Sequence, residues 1–180
     1  MAFWTPDKYF SRLANVDIER DLLALGLSTV LLDIDNTIVA RGTHYVAQDA
    51  GIWLGKARDA GIGFCLLSNN WHQSAKDLAE ELGLPIVAKA CKPLPHGYLR
   101  AMGKLGSTRK DTVTIGDQLF TDVAGAHAVG MKAYMLQPLV EEDLRHTLML
   151  RNLERALLAG RTPEPAPSRC DGIHATGHSR

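Results

Sequence analysis

Hydrophobic positions come in short unbroken runs separated by amphipathic segments, and the two alternate along most of the chain. Residues 28–33 read Ser-Thr-Val-Leu-Leu-Asp, a brief apolar run ending in an acid. A run without polar alternation fits a strand covered on both faces, as in a parallel sheet. The same cadence returns at 64–67, 85–88, 112–115 and 132–135. Helical segments are expected between these runs, over 48–60, 74–82, 96–105 and 122–129, with Gly83 and Gly130 as stops. Upstream, Thr5-Pro6-Asp7 reads as a helix start: a capping hydroxyl, a proline at the first helical position, and an acid facing the dipole. Residues 17–25 make a second short helix stopped by Gly26, and 141–159 a last one. Alternating strands and helices predict an α/β, doubly wound domain with a mainly parallel five-stranded sheet.

The length, 180 residues, suits one compact domain, expected over 1–159. Residues 160–180, rich in proline and small polar side chains, read as a disordered tail. Twenty basic residues balance twenty acidic ones. That balance argues against an extended nucleic-acid-binding surface, which tips basic, while leaving room for a local patch. Cys65, Cys91 and Cys170 form no CxxC or Cys/His cluster, and an odd number cannot complete a disulfide framework. Two small buried residues and one on the tail are expected, in a reducing compartment. The start, Met1-Ala2-Phe3-Trp4 followed soon by Pro6, Asp7 and Lys8, lacks the basic and apolar regions of a secretory signal. No apolar stretch approaches the roughly 20 residues of a spanning helix. A cytoplasmic protein is expected, with peripheral contact to a membrane left open.

In open α/β sheets, ligands bind outside the carboxyl ends of the strands, so the residues after each expected strand are the place to look for chemistry. The first strand ends in Asp33-Ile34-Asp35-Asn36-Thr37 and the second in Ser68-Asn69-Asn70. Lys89 and Lys92-Pro93 follow the third, and Gly116-Asp117-Gln118 with Thr121-Asp122 follow the fourth. Taken singly, these are ordinary helix caps, turns and surface charges. Together they bring several carboxylates, a hydroxyl, amides and a lysine to one rim. So many acids in one place are unfavourable unless a cation sits among them. A hard divalent ion with oxygen ligands answers this, and magnesium fits a site with few protein carboxylates and a phosphate.

Asp33-Ile34-Asp35-Asn36-Thr37, Ser68, Lys92 and Gly116-Asp117 with Asp122 resemble the four motifs of the haloacid dehalogenase superfamily. The longer stretches 32–39, 67–70, 88–93 and 115–123 are similar to the YqeG branch of its subfamily IIIA, itself similar to mitochondrial phosphatidylglycerophosphate phosphatases. The resemblance runs from Phe10 to Leu158 and implies an uncapped, magnesium-dependent phosphatase. It implies Asp33 as a nucleophile giving an aspartyl-phosphate, and Asp35 as general acid and then base. Magnesium would be held by the Asp33 carboxylate, the Asp35 backbone carbonyl and Asp117. Ser68 and the Asn69 amide would hold the phosphoryl oxygens, with Thr37 also at the substrate, and Lys92 would neutralise shared charge. Asp122 would orient Lys92 or a metal-bound water. Lys92, followed by Pro93 and a helix, fills the motif position better than Lys89. Related phosphate-transferring ATPases carry threonine where Asp35 stands, so the acid argues for hydrolysis. His44, His72, His96 and His127 have no metal-ligand spacing and read as surface or packing residues.

Roughly 30 residues separate Asp35 from Ser68 and about two dozen separate Ser68 from Lys92, too few for an inserted cap domain, since domains rarely fall below about 50. An uncapped site admits a phosphate attached to something large, such as a lipid head group, a protein or a nucleic-acid end. Phe3, Trp4, Tyr9, Phe10 and Leu13 put aromatics on the expected first helix. Arg145, His146, Arg151 and Arg155 lie beside leucines on the last. Each helix could meet a lipid surface or pack its apolar stripe on the domain.

Overall fold

Thr29–Leu32 is buried at every position, and its residues point alternately to two separate cores. Val30 and Leu32 face one core and Leu31 the other, so the run has no polar face because neither side of it meets water. The computed structural model describes residues 3–40, 43, 45–70, 73–140 and 161–165. The expected last helix, with Arg145, His146, Arg151 and Arg155, lies outside them, as do His44, His72, Cys170 and most of the expected tail.

Six parallel strands form one sheet: β1 (Lys8–Phe10), β2 (Thr29–Leu32), β3 (Gly63–Leu67), β4 (Ile86–Val87), β5 (Thr112–Gly116) and β6 (Lys132–Leu136). Their order across the sheet is β1-β6-β5-β2-β3-β4. The chain therefore moves outward from β2 through β3 to β4, then returns to the other side of β2 for β5. Helices α1 (Gln48–Asp59) and α2 (Ser74–Leu82) cover one face. Helices α3 (Pro95–Leu105) and α4 (Ala124–Ala128) cover the other. Trp53 of α1 shows how the first face is closed: its ring meets Phe64 edge-on at 6.0 Å, and its indole N–H donates to the Val16 carbonyl at 2.7 Å. The burial of a large ring with its one donor satisfied is what a core tryptophan requires.

The sheet has six strands rather than the expected five because Thr5-Pro6-Asp7 does not start a helix. The Asp7 backbone N–H donates to the Ala133 carbonyl at 2.9 Å, and the Asp7 carboxylate accepts the Ala133 N–H at 2.9 Å. Both bonds dock the segment onto β6, after which Lys8, Tyr9 and Phe10 pair with Tyr134, Met135 and Leu136. Phe10 enters the first core and Tyr9 packs against the second, a period of two that a helix cannot supply. Local capping signals lose here to sheet pairing. The expected helix at 17–25 is a π-helical turn, Ile18–Leu22, followed by a 3-10 turn, Leu23–Leu25, although Asp17 does cap it and Gly26 does end it in the left-handed region. Asp122 likewise lies in a π-helical turn, Leu119–Val123, ahead of α4. Within the expected tail, Glu164 donates its N–H to the Tyr9 carbonyl and bridges to Phe10, so residues 161–165 lie along the outer edge of β1. Cys65 is buried as expected, whereas Cys91 is exposed. Cys91 sits in a loop with φ +56°, ahead of Lys92, not in a strand or helix that would bury it.

Candidate active site

The reversal of strand order falls between β2 and β5, and a crevice at such a point is where open α/β sheets hold ligands. Asp33 leaves the end of β2, its N–H still bonded to the Ile115 carbonyl of β5 at 2.9 Å. Asp117 leaves the end of β5 beside it, fully buried. Lys92, in the loop after β4, reaches in from the other side and is 6 % exposed. Its ammonium lies 2.5 Å from Asp33 Oδ1 and 2.7 Å from Asp122 Oδ1.

Each group is held by a second layer of bonds. Thr37 Oγ1 donates to Asp33 Oδ2 at 3.0 Å, so its hydroxyl is engaged on the nucleophile candidate rather than open to a substrate. Asn69 and Lys92 clasp each other: the Lys92 N–H donates to Asn69 Oδ1 at 2.7 Å, and Asn69 Nδ2 donates to the Lys92 carbonyl at 3.0 Å. Ser68 Oγ accepts the Asn70 N–H at 2.9 Å and donates to Asp35 Oδ2 at 3.2 Å. Asp122 Oδ2 accepts the Gln118 N–H at 3.2 Å. Gly116 makes this packing possible, because a Cβ there would sit 2.3 Å from the Asp122 carboxyl carbon. Tyr98 of α3 donates its hydroxyl to the Thr121 carbonyl at 2.5 Å, pinning the turn that carries Asp122.

Carboxylate oxygens of Asp33, Asp117 and Asp122 lie within 4.8 Å of one another, all buried. Lys92 pairs with two of the three, Asp33 and Asp122. Burial pushes the Asp33 carboxyl up; Lys92 opposes the shift, while Asp122 and Asp117 add to it. Burial alone would lower Lys92, but Asp122 and Asp33 outweigh it and hold the amine charged. A second positive charge would suit this donor set, and three hard oxygens suit a divalent cation. Asp35 contributes no side-chain oxygen to that cluster. Its carboxylate turns the other way, half-buried, toward Ser68 and a cleft of about 370 Å³ lined in part by Ile34, Val39, Tyr45, Asn70, Leu78 and Glu81.

The structure therefore brings Asp33, Lys92, Asp117 and Asp122 into one cluster, with Thr37 on Asp33, and gathers Ser68 around Asp35. Lys89 is exposed, at φ +52°. His96 is exposed, and His127 bonds to the Phe3 carbonyl and Asp7 away from the site. The sequence reading missed the side-chain role of Asn69, the steric demand at Gly116 and the Tyr98 pin. A glycine directly before an acid, with a second acid six residues on, is the one local signal that pointed to the second of these.

A parallel α/β domain thus carries a buried Asp–Lys–Asp cluster at its strand reversal. Residues 8–130 match the model of the haloacid dehalogenase-like hydrolases, and the chain belongs to that family. It is 29% identical over 157 residues to the probable phosphatase YqeG of Bacillus subtilis, covering 87% of this chain and 91% of that one. Among solved structures, an uncharacterized protein from Listeria monocytogenes superposes with a TM-score of 0.54 at 21% identity, over 73% of this chain and 97% of its own. The cobalt-bound deoxy-D-mannose-octulosonate 8-phosphate phosphatase of Haemophilus influenzae gives 0.52 at 16% identity, over 74% and 88%. Both share the fold.

Proposed function

We propose that the protein is a magnesium-dependent phosphatase that hydrolyses a phosphate monoester through an aspartyl-phosphate on Asp33. The observation that carries this reading is the contrast between two acids on one turn. Asp33 is 5 % exposed and paired with Lys92, whereas Asp35 faces the open cleft, a hydroxyl and a side-chain amide. Two carboxylates in two environments take two roles.

In the first step an Asp33 oxygen attacks phosphorus, and the bond from phosphorus to the leaving oxygen breaks as Asp35 gives that oxygen its proton. In the second, Asp35 takes a proton from water as the water oxygen attacks phosphorus. The bond to Asp33 then breaks, releasing phosphate. Lys92 neutralises charge as it builds on the phosphoryl group. Ser68 and the Asn69 amide would bind the phosphoryl oxygens. Magnesium, held by Asp33, the Asp35 carbonyl and Asp117 with Asp122 behind them, would offset the repulsion between an anionic nucleophile and an anionic ester.

The absence of an inserted domain between β2 and β5 favours a phosphate on a large carrier, and a lipid head group such as phosphatidylglycerophosphate is the reading nearest the YqeG resemblance. Of the apolar residues that suggested contact with a lipid surface, Phe10 and Leu13 are core residues. Phe3 and Trp4 stay exposed at 47 % and 40 %, with Trp4 packed on Phe120. No helix among the described residues is long and apolar enough to cross a membrane.

The test is phosphate release with magnesium, comparing phosphatidylglycerophosphate in mixed micelles with p-nitrophenyl phosphate and soluble phosphate esters, with Asp33→Asn as the blank. Preference for the lipid supports the substrate. Release from soluble esters alone keeps the mechanism and removes the lipid. Silence across the panel with magnesium bound would sink the phosphatase reading in favour of a phosphate-binding module.

A further inference from the structure

The turn that carries Asp33, Asp35 and Thr37 is centred on Asn36, which is fully buried and has φ +65°. Glycine would satisfy that backbone angle at least as well. What glycine would lack is the side chain, and the side chain has definite work. Asn36 Nδ2 donates to the Val140 carbonyl at 2.9 Å, and Asn36 Oδ1 accepts the Val140 N–H at 3.0 Å. The Asn36 carbonyl also accepts the Leu139 N–H at 3.0 Å, and its own N–H donates to the Val39 carbonyl at 2.7 Å. Three of these four bonds run to residues 139–140, more than 100 positions away in the chain.

The far end of that connection is tied as well, since the Gln137 N–H donates to the Phe10 carbonyl of β1 at 2.9 Å. β6 ends at Leu136 and is separated from β2 by β5. Residues 137–140 therefore lead from β6 toward the end of β2, bending at Leu139, and the Gln137–Phe10 and Asn36–Val140 bonds tie the catalytic turn to the body of the sheet.

Asp35 is the residue that depends on this. Its carboxylate meets Ser68 Oγ at 3.2 Å and Asn70 Nδ2 at 3.4 Å, both near the long limit for a hydrogen bond. Partners so distant do not set its direction; the backbone of the turn does. We propose that Asn36 is a positioning residue, clamping the catalytic turn to the 139–140 strap so that the Asp35 carboxyl faces the oxygen that leaves. This rests on Asp35 as the general acid.

A displaced acid harms poor leaving groups most, because a good one departs without a proton. The experiment is kcat/KM, which reports steps up to the first irreversible one, across aryl and alkyl phosphates of rising leaving-group pKa. It is run on the full chain and on Asn36→Gly, Val140→Pro and Asp35→Asn, with thermal midpoints as a folding check. Asn36→Gly keeps the turn angle and removes both side-chain bonds. Val140→Pro removes one of them from the far side and leaves the catalytic turn untouched, so it carries the test if Asn36→Gly does not fold. The expected result is a steeper dependence on leaving-group pKa: a fall of about ten-fold or more for alkyl phosphates and under about three-fold for p-nitrophenyl phosphate. Val140→Pro should shift the slope in the same direction. An equal fall for every ester, with Asp35→Asn still steep, would leave Asn36 only a structural part and overturn the proposal. A flat response in Asp35→Asn would remove the acid itself, and this inference with it.

Discussion

Gly116→Ala places one methyl group where the structure has no room for it, and the result can be worked from distances. The new Cβ would lie 2.3 Å from Asp122 Cγ and 2.5 Å from Oδ2. Carbon atoms rest about 3.5 Å apart or more, so the carboxyl group must retreat by about 1.2 Å. Its Oδ1 now lies 2.7 Å from Lys92 Nζ, and a retreat along that line would take the pair beyond hydrogen-bond range. Overpacking of this kind costs about 1–3 kcal/mol. Loosening a buried ion pair adds a fraction of the roughly 3–5 kcal/mol seen when one partner is deleted. We expect a stability loss of about 3 kcal/mol, which for a domain of this size lowers the thermal midpoint by roughly 6–12 °C. Lys92 would shift with its partner, so phosphate release should fall about a hundred-fold. The assay is urea or thermal unfolding of Gly116→Ala alone and in an Asp122→Ala background, beside turnover of the single variant. With the carboxylate gone the three nearest atoms are removed, so Gly116→Ala should then cost clearly less than in the parent background. The same loss in both backgrounds would refute the steric account, as would a single variant with normal stability and turnover.

Asp33→Asn should show no phosphate release while its unfolding curve stays close to that of the parent, since Lys92 keeps Asp122; residual turnover would move the nucleophile elsewhere. Titration calorimetry with magnesium should give one saturable site that Asp117→Asn weakens at least ten-fold, and unchanged binding would take Asp117 out of the ligand set. Asp21 is a stability prediction away from the site. Burial raises its carboxyl, but hydrogen bonds from Arg20, Lys8 and the Asp17 amide outweigh that and bring it down to about 2. A lowered pKa in the fold means the contribution is full above about pH 4 and is lost as pH falls toward 2. Discounted for the partly exposed Lys8 and Arg20, the contribution is about 1–2 kcal/mol. Asp21→Asn should lose it at neutral pH and show a shallower acid decline, measured by urea unfolding at pH 7, 4 and 2.5; parallel pH curves would exclude the ion pairs as its source.

The candidate site motifs were legible because each follows its own apolar run, and apolar runs without alternation are hard to mistake in a sheet covered on both faces. Asp33, Ser68 and Asp117 needed only that rule to be placed on one rim. What stayed hidden depends on partners distant in sequence. β1 was read as a helix because Thr5, Pro6 and Asp7 are good helix starters locally, and nothing nearby announces that Asp7 bonds to Ala133. The Asn69–Lys92 clasp and the Asn36–Val140 pair join loops that only the folded sheet brings together. The acidic pair Asp117 and Asp122 was visible, but the need for Gly116 beneath it was not, since its cause is a contact distance rather than a backbone angle.

The strand order has a consequence for synthesis. β1 pairs with β6, roughly 125 residues later in the chain, which at about 5–20 residues per second means some 6–25 s between the synthesis of the two strands. Until then Phe10 and Leu13 have no finished core to enter. The strands β2, β3 and β4 can assemble earlier, so residues 8–13 wait, apolar and unpaired, until β6 is made. Nascent chains arrested before residue 132 should be protected from protease across β2 and β3 and cut near Phe10, with protection of that site gained only once β6 has emerged.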